Sequence, residues 1–137
     1  MATSDIARII WADDEGPQRA LGQHFLEKLV APGVLIEIVE DGEALVAAVK
    51  SYHDKNQWNP AKSLIITDKD MPGYNGLEAI GYIRKFDAET PIVLVTANLI
   101  HDEAKQVGAT GLLPKPYAGA AALKQMLETY RPEVLRQ

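Results

Sequence analysis

The sequence predicts an α/β domain in which five parallel strands form one open sheet with helices on both faces. Two observations predict it. Short aliphatic runs alternate with helix-period segments along the chain, a repeated βα order, and such a repeat closes through right-handed crossovers that cover both faces of a parallel sheet. Four of the five strand-like runs also end in a residue suited to phosphoryl chemistry: Ala12 leads into Asp13 and Asp14, Thr67 into Asp68, Val95 into Thr96 and Pro114 into Lys115. The carboxyl ends of parallel strands line one crevice, so these scattered residues are expected to meet.

Each element has its own signal. The first strand spans roughly Ala7 to Ala12, and Pro17, a good first-turn residue, opens a helix with Leu21, Phe25, Leu29 and Val30 on one face. Pro32-Gly33 stops that helix before a second strand, Val34 to Val39, whose polar Glu37 marks an edge position. Asp41 is placed to cap a helix in which Leu45, Ala48, Val49 and Tyr52 recur at helical spacing. A polar loop from about His53 to Ser63, anchored by Trp58, precedes the third strand, Leu64 to Thr67, and Trp11 is expected to pack under the sheet. Met71-Pro72-Gly73-Tyr74-Asn75-Gly76 is a turn-rich loop with Gly73 and Gly76 as turn glycines, and Leu77, Ile80 and Ile83 begin the next helix. Pro91 opens the fourth strand, Ile92 to Val95, and Ile100, Ala104 and Val107 give a short fourth helix. Gly108 and Gly111 flank the turn into a very short fifth strand, Leu112-Leu113-Pro114. Leu123, Met126, Leu127 and Tyr130 form the apolar stripe of the last helix, which Arg131-Pro132 ends.

The totals bound what the chain can do. Its 137 residues suit one domain, 1–137, with a core of about 6–130 and a short tail, 131–137. A chain of that length buries about two-thirds of its unfolded surface. With 14 basic and 19 acidic side chains the net charge is −5, and no Lys/Arg stripe offers the basic footprint of a nucleic-acid binder. The apolar run Ile6 to Ala12 is interrupted by Arg8 and is too short to span a bilayer, and no signal peptide is evident. The absence of Cys excludes disulfides, Cys-ligated zinc and thiol catalysis, and fits a cytoplasmic location.

Grouped at one crevice, Asp13, Asp14 and Asp68 would repel one another. At an effective dielectric near 20, each like-charge pair costs roughly 4 kcal/mol at 4 Å. Such clusters persist by raising a pKa or binding a cation. An all-oxygen set points to a hard ion such as Mg²⁺, which shares its shell with waters and phosphate oxygens. Lys115 could pair with a phosphoryl oxygen and Thr96 could donate a hydrogen bond to it. One Asp could then act as nucleophile and form an acyl phosphate.

These motifs resemble a receiver domain of the two-component response-regulator family, in its stand-alone form. The matching pieces are Ile10-Trp11-Ala12-Asp13-Asp14-Glu15, the run Ile66 to Gly76, Val95-Thr96-Ala97, and Leu113-Pro114-Lys115-Pro116-Tyr117, covering Ile9 to about Tyr130. The resemblance implies a flavodoxin-like (βα)5 fold with strand order 2-1-3-4-5. It makes Asp68 the phosphoacceptor for a sensor histidine kinase or histidine phosphotransfer protein. Asp13 and Asp14, with Asp68 and the backbone carbonyl of Asp70, then hold Mg²⁺ or Mn²⁺. Thr96 becomes the hydroxyl that moves toward the phosphoryl group. Lys115 becomes the lysine whose bond to Pro116 is usually cis. Asp70 and Asn98 match positions that tune self-dephosphorylation. A face of the fourth helix, fifth strand and fifth helix would meet a downstream protein, and the first helix with the site loops would dock the phosphoryl donor. Leu112 departs from the family, which often carries Tyr or Phe there as a switch, and Tyr117 sits where another aromatic is expected.

Taken singly, the same residues have plainer readings. Asp13-Asp14 could serve a helix N-terminus, Asp68 a turn, Thr96 a strand and Lys115 the surface. His24, His53 and His101 share no ligand-like spacing and read as surface or packing residues. Gly73 and Gly76 lack the spacing of a phosphate-cradling loop. Two other functions compete with the receiver reading. Asp68-Lys69-Asp70 superficially matches the nucleophile and acid/base of a haloacid-dehalogenase-like phosphatase, but Pro72 and the early position of the acidic pair oppose it. An unphosphorylated receiver-like interaction scaffold is the other.

Overall fold

The aliphatic runs form five strands, β1 (Arg8–Ala12), β2 (Leu35–Val39), β3 (Leu64–Asp68), β4 (Ile92–Thr96) and β5 (Gly111–Pro114). The periodic segments form α1 (Gly16–Leu29), α2 (Gly42–Asp54), α3 (Gly76–Arg84), α4 (His101–Val107) and α5 (Gly119–Tyr130), and a 3-10 turn follows at Pro132–Val134. The computed structural model describes residues 4–98, 100–117 and 119–137. All strand pairs are parallel and the sheet order is β2-β1-β3-β4-β5, as the sequence led us to expect.

Alternation along each strand builds a core on either side of the sheet. Ile9, Trp11, Leu64, Ile66, Val93 and Val95 face Leu26 of α1 and Leu123, Met126 and Leu127 of α5. Ile10, Ala12, Ile65, Ile92 and Leu94 face Leu45 and Val49 of α2, Ala79, Ile80 and Ile83 of α3, and Ala104 of α4. Each fully buried Leu or Ile contributes roughly 1.5–3 kcal/mol. β3 and β4 are buried throughout, whereas β2 is an edge strand with no fully buried residue. Its Glu37 accepts a hydrogen bond from the Tyr52 hydroxyl at 2.6 Å.

Register and caps decide where the strand ends point. Ala12 pairs with Thr67, Asp68 with Val95 and Thr96 with Pro114, so the residues that follow emerge along one edge. Asp41 caps α2 by accepting from the Ala44 N–H at 2.7 Å. α3 starts with a reciprocal capping box between Asn75 and Glu78. Trp58 anchors its loop by donating from Nε1 to Thr90 Oγ1 at 2.9 Å.

One feature differs from expectation, and two go beyond it. Leu21 is 42% exposed, although the apolar pattern placed it on the inner face of α1. The reason is Gly22: a Cβ there would stand 3.1 Å from the Trp11 ring, so α1 turns this glycine and Leu26 inward and leaves Leu21 outside. The segment expected as a tail is held down. Val134 is buried, Val30 and Leu135 form an antiparallel bridge, and the Ala31 N–H donates to the Val134 carbonyl at 2.8 Å. Arg131 donates to the carbonyls of Pro60, Ala61 and Ser63 at 2.8, 2.6 and 3.2 Å. His53, read as a surface or packing residue, has Nε2 2.8 Å from the buried Asp87 carboxylate. Among the described residues, no helix is long and apolar enough to cross a membrane.

Candidate functional site

The β1–α1 turn is fixed from both sides. The Asp13 N–H donates to the Val39 carbonyl at 3.1 Å, which extends strand pairing one residue beyond β1. Asp13 Oδ1 accepts from the Glu15 N–H and the Asp13 carbonyl accepts from Arg19 Nη1, both at 2.9 Å. Asp13 is thereby buried while Asp14 is exposed. Asp68 ends β3 at 3% exposure, and the Thr67 hydroxyl donates to its carbonyl at 3.0 Å. Gly76 passes so close that a Cβ there would overlap the Asp68 carbonyl. Carboxylate oxygens of Asp13, Asp14 and Asp68 lie within 4.8 Å of one another.

Lys115 arrives from the end of β5. Its N–H donates to the Thr96 carbonyl at 2.9 Å, and its Nζ lies 2.5 Å from Asp68 Oδ1. The Lys115–Pro116 peptide bond is cis. Thr96 is buried beside it, with Oγ1 accepting from the Asn98 N–H at 3.1 Å. Burial and neighbouring charges act in opposite senses on the protonation of this group. Burial raises the pKa of Asp13 above the ordinary carboxylate value, against the Glu15 N–H and Lys115, which lower it. Burial also raises Asp68, although its hydrogen bond and charge attraction to Lys115 oppose that. Burial pulls Lys115 down, but its hydrogen bond and attraction to Asp68, with Asp13 and Glu15, outweigh burial and leave it raised.

Three clustered carboxylates with one close ammonium leave excess negative charge in a partly dry site. The donor set is all oxygen, so the residues fit a hard divalent cation. The model of the response regulator receiver domain matches residues 9–128. The chain belongs to that family.

Similar proteins agree in kind. TctD, a transcriptional regulatory protein of Salmonella typhimurium, is 36% identical over 114 residues, 80% of this chain and 46% of TctD. The sensor protein GacS of Pseudomonas syringae is 31% identical over 122 residues, 83% of this chain and 12% of GacS. This receiver domain spans less than half the length of the curated relatives that it matches most strongly. Among solved structures, the receiver domain of a sensor histidine kinase from Pseudomonas aeruginosa PAO1, with magnesium ion coordinated in its active site cleft, shares the fold. The TM-score is 0.73 at 22% identity, covering 94% of this chain and 98% of that one. A LuxR-family two-component response regulator from Aurantimonas sp. SI85-9A1 gives 0.71 at 24%, covering 91% and 84%. Receiver domains are signalling domains of phosphorelays, and the acidic cluster here is consistent with Mg-dependent phosphorylation of an aspartate.

The remaining predicted residues of the receiver domain are not among the three clustered carboxylates. Asp70 is exposed and its carboxylate lies 3.5 Å from Lys69 Nζ. Asn98 is exposed. Leu112 pairs in register with Leu94 and packs on the α2–α3–α4 side. Tyr117 is half-buried, its ring centroid 6.3 Å from that of Trp11 at a 48° tilt. Its pKa is raised by burial first and then by Asp13.

Two supporting contacts escaped sequence reading. Arg19 holds the Asp13 carbonyl, and Glu43 of α2 accepts from the Tyr74 N–H at 2.7 Å, tying down the loop after Asp68. Gly42 admits that loop, since a Cβ there would overlap the Tyr74 carbonyl. The acidic first turn of α2 was visible, but it reads equally well as a response to the helix dipole.

Proposed function

We propose that this receiver domain takes a phosphoryl group onto Asp68 from the phosphohistidine of a sensor histidine kinase or histidine phosphotransfer protein. An Asp68 carboxylate oxygen forms the new P–O bond as the donor's P–N bond breaks, and that electron pair returns to the imidazole nitrogen. Asp13, Asp14, Asp68 and the Asp70 carbonyl would hold Mg²⁺ (or Mn²⁺), which supplies positive charge against the phosphoryl oxygens. Lys115 neutralises a further oxygen, and Thr96 donates a hydrogen bond once its hydroxyl leaves the Asn98 N–H. Asp70 and Asn98, at the rim, set how readily water reaches the acyl phosphate.

The observation that carries this reading is the convergence of three carboxylates within 4.8 Å, one of them, Asp68, paired to Lys115 at 2.5 Å. Raised carboxyl pKa values at Asp13 and Asp68, caused first by burial and only then by the neighbouring carboxylates, support it, because a bound cation would offset both costs. The acyl phosphate then shifts the population of surface arrangements read by a downstream protein. By family likeness the output face is α4–β5–α5, the donor docks at α1 and the site loops, and the compartment is the cytoplasm.

Acetyl phosphate or beryllofluoride with Mg²⁺ tests the proposal. With acetyl phosphate the wild type should take up base-labile phosphate and with beryllofluoride it should show bound fluorine, and Asp68→Asn should show neither while staying folded. No adduct on the wild type would leave an unphosphorylated scaffold as the better reading, and labelling of Asp68→Asn would move the acceptor elsewhere.

A further inference from the structure

Trp11 lies on β1, two residues before Asp13, with its ring against Gly22 of α1. The residue is 2% exposed, and its Nε1–H is the buried side-chain donor without a partner among the described residues. An unpaired buried donor is costly and calls for a physical reason. Its aromatic neighbour is Tyr117, at 6.3 Å between centroids and too tilted to stack flat. Tyr117 follows Lys115-Pro116, and its phenol feels the charges of Asp13, Lys115 and Asp68. Beside the ring opens a cavity of about 430 Å³, lined by Leu21, Phe25, Ala97, Lys115, Pro116 and Tyr117. The ring therefore has charged groups around it, a vacant hydrogen-bond donor nearby and room to move. Leu112, by contrast, has no ring to move.

We infer that Tyr117 is the mobile aromatic of this receiver domain, exchanging between its present seat and one where its hydroxyl oxygen accepts the Trp11 Nε1–H. The inference rests on the acceptor-site reading above, because the acceptor site is what biases the exchange. In the present seat the phenol lies in the field of a carboxylate-rich cluster. A cation and a phosphoryl group replace that field, so the two seats change weight by their difference in electrostatic energy. The second seat satisfies the indole N–H. The moving ring reshapes the cavity wall at Phe25 and the exposed Leu21, so α1 senses the state of Asp68. Phosphorylation is thus reported at the α1 end of the site independently of β5.

The chain has two tryptophans, and the second is an internal control: the Trp58 indole N–H already donates to Thr90 Oγ1. Nitrogen-15 NMR follows both indole N–H groups while fluorine-19 NMR follows bound beryllofluoride on the protein with Mg²⁺. On adduct formation the wild-type Trp11 N–H should shift downfield and exchange with solvent about tenfold more slowly, the effect of one new buried hydrogen bond. Trp58 should not respond. Tyr117→Phe keeps the ring, should still bind beryllofluoride at saturation, and should leave the Trp11 N–H unchanged. A bound fluorine signal with an unmoved Trp11 in the wild type overturns the inference, as does a full response in Tyr117→Phe. Absence of a bound fluorine signal in the wild type removes the acceptor reading and this inference with it. The fluorine spectrum tells these failures apart.

Discussion

Lys115 Nζ reaches Asp68 Oδ1 at 2.5 Å, so the residue after β5 supplies an ammonium that directly offsets a carboxylate buried at the end of β3. The pairing sets a hierarchy: it lowers the Asp68 pKa, yet burial still wins and the group stays above its ordinary value.

Lys115→Met removes that offset. Asp68 should titrate higher still, and labelling by acetyl phosphate should slow by about 100-fold, the scale of losing one preorganised charge-stabilising donor. Mg²⁺ affinity should not fall, because a competing cation has gone. Rate and Mg²⁺ titrations separate the two effects, and a weakened metal site would contradict this account.

Asp13 gives a pH dependence whose sign follows from its burial. Its folded-state pKa is raised, so the folded protein takes up a proton more readily than the unfolded chain. The destabilisation from this carboxylate is therefore present above its folded pKa and disappears as pH falls through that value. Asp13→Asn keeps an oxygen for the Glu15 N–H and should melt higher than wild type at neutral pH without divalent ions. Mg²⁺ should raise the wild-type melting temperature and raise the variant's much less. Melting curves from pH 4 to 8, with and without millimolar Mg²⁺, check both statements.

Asp87 behaves in the opposite sense. Burial would raise its pKa, but bonds from the Thr90 hydroxyl and N–H, His53 and the Glu89 N–H outweigh that and lower it. Its contribution to stability is present above the unfolded carboxylate value and is lost as pH falls through the lower folded value. Asp87→Asn should flatten that acid limb in urea denaturation. Asp87→Ala strands several buried donors and should cost about 2–4 kcal/mol at neutral pH.

Two glycines of α3 should respond in opposite directions. Gly76→Ala forces a methyl group into the Asp68 carbonyl and Leu94, and should destabilise by about 1–3 kcal/mol while disturbing phosphoryl acceptance. Gly81 has nothing within 4 Å of its would-be Cβ, so Gly81→Ala should stabilise by about 0.5–1 kcal/mol. Chemical denaturation of both variants gives the comparison directly.

The fold was readable because each βα unit carries its own local signal, and the cluster because strand ends in such a sheet share one crevice. Asp13, Asp14, Asp68 and Lys115 needed only that rule to be brought together. What stayed hidden depends on contacts that no periodicity encodes. Leu21 fits the α1 stripe, yet the close approach of Gly22 to Trp11 rotates the helix away from it. His53 and Asp87 lie 34 residues apart, in a helix end and a loop whose polarity looks ordinary. Arg131 reads as the residue before a helix-stopping proline, but its guanidinium closes over three carbonyls of the α2–β3 loop. Side chains that bond to distant backbone leave no trace in spacing.

Glu37 has a consequence for life in a crowded solution. An outermost strand with open amide groups invites a neighbouring molecule to add itself on, and repeated addition ends in fibres. Here an anion stands within that strand, leashed by the Tyr52 phenol, and an incoming chain would have to bury it. Replacing Glu37 with valine would suit β2 locally and make self-association the new hazard.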